Sequence, residues 1–131
     1  MNATGSVLLD TTIVVDHLRG RSPALGERFE QTGTLYLPVI ALGELLYGAN
    51  KSAFGSKALA QIEDFCQLCA ILGPDQQTAG YYGRLSAALS RLGKLIPQND
   101  IWIAAIALEH NLPLATRDQH FRSVPELTLM D

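Results

Sequence analysis

Four carboxylates in this sequence, Asp10, Glu44, Asp100 and Asp118, occupy positions from which acids can converge. Asp10 ends the apolar run 7–9, at the carboxyl end of an expected strand. Asp118 lies just past a second short run, Leu114, Ala115 and Thr116. Asp100 stands where a helix should begin: Asn99 or Asp100 suits its N-cap, and the apolar stretch 101–108 follows directly. Glu44 sits among Leu42, Leu45 and Leu46 in an apolar helical segment, where a bare charge needs a partner.

Acids held together repel one another. At an effective dielectric near 20, each pair ~5 Å apart costs roughly 3 kcal/mol. Such a group must keep protons or bind a cation. Carboxylate oxygens without thiolate or imidazole favour Mg²⁺ or Mn²⁺, ions whose coordination is commonly completed by water and substrate phosphates. The chemistry that fits is metal-assisted hydrolysis of a phosphodiester, in which the cation activates water and stabilises phosphoryl and leaving-group charge. Taken singly, an Asp after a strand is as readily a turn or cap residue. Asp16, Asp64, Asp75, Glu109 and Glu126 lack a comparable setting and read as caps or surface.

The elements that must position these acids alternate along the chain. Strands are expected at 7–10, 35–37, 70–72 and 114–116, with an edge strand at 127–129. Helices are expected at 12–19, at 22–33 with Ser22 as cap, and at 40–50 and 54–69. Two more run from Asp75 to about Leu92, with the buried stripe Tyr82, Leu85, Leu89 and Leu92, and from 100 to Asn111. Short apolar strands separated by helices imply a three-layer α/β/α sandwich around a mostly parallel sheet. In such a sheet ligands bind at the carboxyl ends of the strands.

Three segments together, VLLDTTIVVDHLRG, LPVIALGELLYGA and IPQNDIWIAAIALEHNLPLATRDQHF, resemble PIN domains, specifically the VapC-type ribonuclease toxins of bacterial toxin–antitoxin pairs. The likeness covers nearly the whole chain in order. By position it implies that Asp10, Glu44, Asp100 and Asp118 are the family's acidic quartet, with Thr116 its small hydroxyl residue before the last acid. It further implies Mg²⁺ or Mn²⁺, single-stranded or looped RNA as substrate, a cognate antitoxin whose tail covers the active site, and homodimerisation. Many members carry Asn or Ser where this chain has Thr12, whose hydroxyl can still bond a carboxylate or water. Thr12, Asn99 and Thr116 are therefore the expected supports of the acids.

The whole chain bounds these readings. Its 131 residues make one domain with a real core. A net charge of −3 does not itself announce nucleic acid, so a cation and local basic residues must offset the acids on a polyanion. The charged fraction of 18% is low enough that a partner is expected to cover some apolar surface. No apolar run reaches membrane-spanning length and the opening residues lack signal-peptide character, so a cytoplasmic location is expected. Arg84, Arg91 and Lys94 share a helical side and, with Arg117, are candidate RNA-phosphate contacts; a solvated face is the plainer reading of the first three. Cys66 and Cys69 read as core thiols because no second ligand pair accompanies them. Tyr82 and Trp102 are expected in the core, and His120 in a structural role near Phe121.

Two other functions compete. LLD followed by Thr-Thr resembles the nucleophile loop of haloacid-dehalogenase-like phosphatases, which want a second Asp where Thr12 stands. A degenerate domain that binds RNA or protein without cleaving would not need all four acids.

Overall fold

The computed structural model describes residues 5–21, 23–31 and 33–130. Four strands, β1 (Val7–Leu9), β2 (Leu35–Pro38), β3 (Cys69–Leu72) and β4 (Leu114–Ala115), form one sheet in the order β3-β2-β1-β4. Every strand pairing is parallel, with Leu8 opposite both Tyr36 and Leu114. Six helices connect them: α1 (Thr11–Leu18), α2 (Pro23–Gln31), α3 (Val39–Lys51), α4 (Gly55–Cys66), α5 (Gln76–Arg91) and α6 (Gln98–His110). Val7, Leu8, Leu9, Leu37 and Leu114 have no exposed surface, as central parallel strands covered on both faces require. The result is the α/β/α sandwich that the alternation of short apolar runs and helices implies.

The β1–β4 boundary matters most for the site. The chain leaves β1 toward β2 on one side and returns as β4 on the other. The crevice at the carboxyl ends of β1 and β4 is thus a topological switch point.

Several expectations shift. α6 begins at Gln98, with Pro97 as its N-cap (φ −57°, ψ 145°), rather than at Asn99 or Asp100. The Pro97 carbonyl accepts the amides of Asp100 at 3.0 Å and Ile101 at 3.2 Å, so Asp100 lies inside the first turn. A proline preset near this φ is a ready entry to a helix, and Asp100 gains the positive end of the helix dipole. Asn111 closes α6 in the left-handed region as expected (φ 53°). Leu92 leaves the predicted buried stripe: α5 ends at Arg91, Gly93 turns left-handed (φ 68°), and Leu92 is 58% exposed. The expected edge strand at 127–129 is reduced to one bridge between Leu114 and Leu129, after Pro125 and a left-handed Glu126 (φ 65°). The proposed cap Ser22 lies outside the described residues.

Asp75 caps α5 through a capping box, accepting the Thr78 amide at 3.0 Å while the Thr78 hydroxyl accepts the Asp75 amide at 3.0 Å. The same fully buried Thr78 donates to Glu109 on α6, joining the two helices. Tyr82 and Trp102 add a stacked pair across them, centroids 4.1 Å apart, but both rings are half-buried rather than in the core. Cys66 closes α4 and Cys69 opens β3; both are free, half-buried thiols packed against the core. Burial, then the neighbouring Cys66, pushes the Cys69 thiol up to about 11, which keeps it protonated and unreactive.

Candidate active site

Asp10 leaves β1 directly at the switch point, its amide donating to the Ala115 carbonyl of β4 at 3.0 Å. It is the N-cap residue of α1, yet its side chain does not cap. Two hydroxyls hold it instead. Thr12 donates to Asp10 Oδ2 at 2.8 Å and Thr116 donates to the same oxygen at 2.7 Å. Each hydroxyl also accepts one backbone amide: Thr12 that of Arg117 at 2.9 Å, Thr116 that of Asp118 at 2.9 Å. Both hydroxyl protons are therefore committed to Asp10, whose rotation is fixed although it is only 2% exposed.

Asp100 enters from the first turn of α6 and is also buried, at 8% exposure. Its carboxyl is pushed up to about 6, first by burial and then by the charges of Asp10 and Asp118, with His120 opposing the rise. Asp118 caps the 3₁₀ turn Gln119–Ser123 by accepting the His120 amide at 2.9 Å. The His120 ring folds back, its Nδ1 lying 3.0 Å from Asp118 Oδ1 and 3.3 Å from Asp100 Oδ2. One ligand atom from each of Asp100, Asp118 and His120 falls within 4.8 Å of the others.

Glu44 stands slightly apart on α3. It is half-buried, and its Oε1 accepts the Thr11 hydroxyl at 2.7 Å, the partner that so apolar a helix demands. Thr11 precedes Thr12, so adjacent hydroxyls at the start of α1 serve two different acids. Glu44 also borders a cleft of about 210 Å³ with Thr11, Val15, Leu18, Arg19 and Leu45. A larger cleft of about 450 Å³, lined by Tyr81, Arg84, Leu85, Leu108 and Pro125 among others, contains none of the four acids.

The structure therefore brings Asp100 and Asp118 together with His120, joins Asp10 to them through the Thr116 hydroxyl, and bonds Glu44 to Thr11, the residue after Asp10. Thr12 and Thr116 both support Asp10. Asn99 is exposed and, among the described residues, makes no hydrogen bond to an acid, because the earlier helix start places it in the first turn. Arg84 lies over the Tyr81 ring, 4.8 Å from its centroid, and Arg91 and Lys94 are exposed. Arg117 is bound to Asp16 through Nε at 3.1 Å. Sequence reasoning missed Thr11 and the placement of His120. A hydroxyl flanking the first acid, and a His two residues after the last one, were the available signals.

The PIN domain family model matches residues 7–127. This chain belongs to the PIN-domain family. Ribonuclease VapC2 from Haemophilus influenzae (strain ATCC 51907 / DSM 11121 / KW20 / Rd) is 38% identical to this PIN domain over 112 residues, 85% of each chain. The tRNA(fMet)-specific endonuclease VapC of Salmonella typhimurium is 30% identical over 126 residues, covering 95% of this chain and 96% of the relative. Among solved structures, VapBC2 from Rickettsia felis bound to a promoter DNA fragment superposes with a TM-score of 0.90 at 27% identity, covering 95% and 97% of the two chains.

Proposed function

We propose that this PIN domain is a divalent-metal-dependent endoribonuclease, the cytoplasmic toxin of a toxin–antitoxin pair, held in check by a cognate antitoxin and acting as a homodimer. The observation that carries the nuclease reading is the cluster of Asp100, Asp118 and His120 within 4.8 Å of one another, with Asp10 joined to it through the Thr116 hydroxyl, in a PIN fold. Relatives named as ribonucleases, and the likeness to a VapBC assembly, support the biological role. Among the described residues no helix is long and apolar enough to cross a membrane.

The donor set fits Mg²⁺ or Mn²⁺. Oxygen donors dominate it, and the Asp100 carboxyl, pushed up to about 6 by burial and then by its acidic neighbours, marks a site short of positive charge. Asp10, Asp100 and Asp118 would hold the ion, with Glu44 at the edge. When bound, the cation supplies Lewis-acid stabilisation of phosphoryl charge and lowers the pKa of water. The protein's own part is positional. Thr12 and Thr116 lock Asp10, the α6 N-terminus orients Asp100, and the 3₁₀ turn aims Asp118. Thr11 holds the Glu44 carboxylate in place through its hydroxyl. The phosphatase alternative fails at residue 12, where Thr supports Asp10 and offers no second carboxylate.

tRNA(fMet) is the first substrate to try, alongside a mixed RNA panel. Cleavage should require added Mg²⁺ or Mn²⁺ and vanish in Asp10→Ala and Asp100→Ala. Cleavage that persists in EDTA, or in both variants, would defeat the reading.

A further inference from the structure

Asp16 was unremarkable in the sequence, a polar residue on α1. In the structure it has a specific partner from the far end of the chain. Its Oδ2 takes the Nε of Arg117 at 3.1 Å, and its Oδ1 lies 3.8 Å from Nη1 of Arg21. Arg117 directly precedes Asp118 and is fixed twice: its amide donates to the Thr12 hydroxyl, and its side chain reaches Asp16. Thr12 and Asp16 are four apart on α1 and share one face of it. The Arg117 side chain is consequently laid along α1, outward from Thr12, and does not fold back over the acids.

An ion pair this exposed (51% for Arg117, 23% for Asp16) adds little stability, so its value lies in position. The tether uses Nε, which leaves the two Nη nitrogens of the fork for another acceptor. A guanidinium at the rim of an acidic pocket that takes a polyanion is placed for a phosphate beside the scissile one. Loose, the same guanidinium would be drawn onto the carboxylates and would compete with a cation.

We infer that Asp16 is a positioning residue: it holds Arg117 along α1 at the pocket rim, where the guanidinium binds a flanking phosphate of the RNA. The inference rests on the ribonuclease reading for its substrate class. It is tested by binding, which separates the two. Affinity for fluorescein-labelled tRNA(fMet) is measured by anisotropy in an Asp100→Asn background, without turnover and over a salt series. Adding Asp16→Ala or Arg117→Ala should each weaken binding about 5-fold. The Arg117 change should also lower the salt slope by roughly 0.7, as loss of one single-strand phosphate contact requires. The double variant should be no worse than Arg117→Ala alone, and Asp16→Asn, which keeps an acceptor oxygen, should recover part of the loss. Calorimetric Mn²⁺ binding in the Asp100-intact protein gives a second readout: Asp16→Ala should weaken it, and adding Arg117→Ala should restore it. Unchanged RNA binding in Asp16→Ala, or additive losses in the double variant, overturns the inference while leaving metal-dependent cleavage by the wild type intact. Absence of any RNA binding overturns both.

Discussion

Replacing Asp100 by Asn should make the metal-free protein more stable. The Asp100 carboxyl is held up at about 6, against an ordinary value of 3.8, by burial and by Asp10 and Asp118. In the unfolded chain it ionises near its ordinary value, whereas in the folded protein it keeps its proton until about 6. Between those values the folded state binds more protons, so its stability falls as pH rises and levels off above about 6. The difference between about 6 and 3.8 corresponds to ~3 kcal/mol at neutral pH. An Asn amide that satisfies its hydrogen bonds less well would recover part of this, so a gain of about 1–3 kcal/mol is expected, or ~4–10 °C in a domain of this size. Urea titrations of both proteins in EDTA across about pH 4 to 8 measure it. The advantage of Asp100→Asn should be near zero at the acidic end and grow to its full size by about pH 7. A variant less stable than the wild type at neutral pH, or an advantage that ignores pH, would refute an acid crowded by like charges.

At fixed, subsaturating Mg²⁺, cleavage should climb between about pH 5 and 7 as Asp100 ionises and the ion loads, and a flat profile would contradict this. Thr116→Val removes a donor to Asp10 and the acceptor for the Asp118 amide; kcat should fall about 10-fold or more with melting changed by only a few degrees. Thr78→Val breaks the capping box and the bond to Glu109, and should cost about 2 kcal/mol in denaturant titrations without altering cleavage at permissive temperature.

The strand–helix alternation was readable because each strand is a short apolar run bounded by a breaker. Asp10 and Asp118 were placed by counting to strand ends, a local property. Helix starts were less legible: the Pro97 cap displaced the entry to α6 and moved Asn99 away from the role given to it. Leu92 looked buried by period alone, since the periodicity does not say where α5 stops. The contacts that define the pocket were beyond reach for a different reason. Thr12 with Arg117, Thr116 with Asp10 and Asp16 with Arg117 each join residues about a hundred positions apart. Such pairs depend on β4 lying beside β1, and nothing in the sequence near Asp16 announces its partner. The sequence sets His120 beside Phe121, whereas in the fold its ring meets Asp100 and Asp118.

The most direct test of the acid pocket is anomalous diffraction from crystals of the protein soaked in Mn²⁺. A peak bounded by the carboxylates of Asp10, Asp100 and Asp118, lost in Asp100→Ala, is the predicted result. A Mn²⁺ peak held elsewhere, with that pocket empty at saturating metal, would contradict the account.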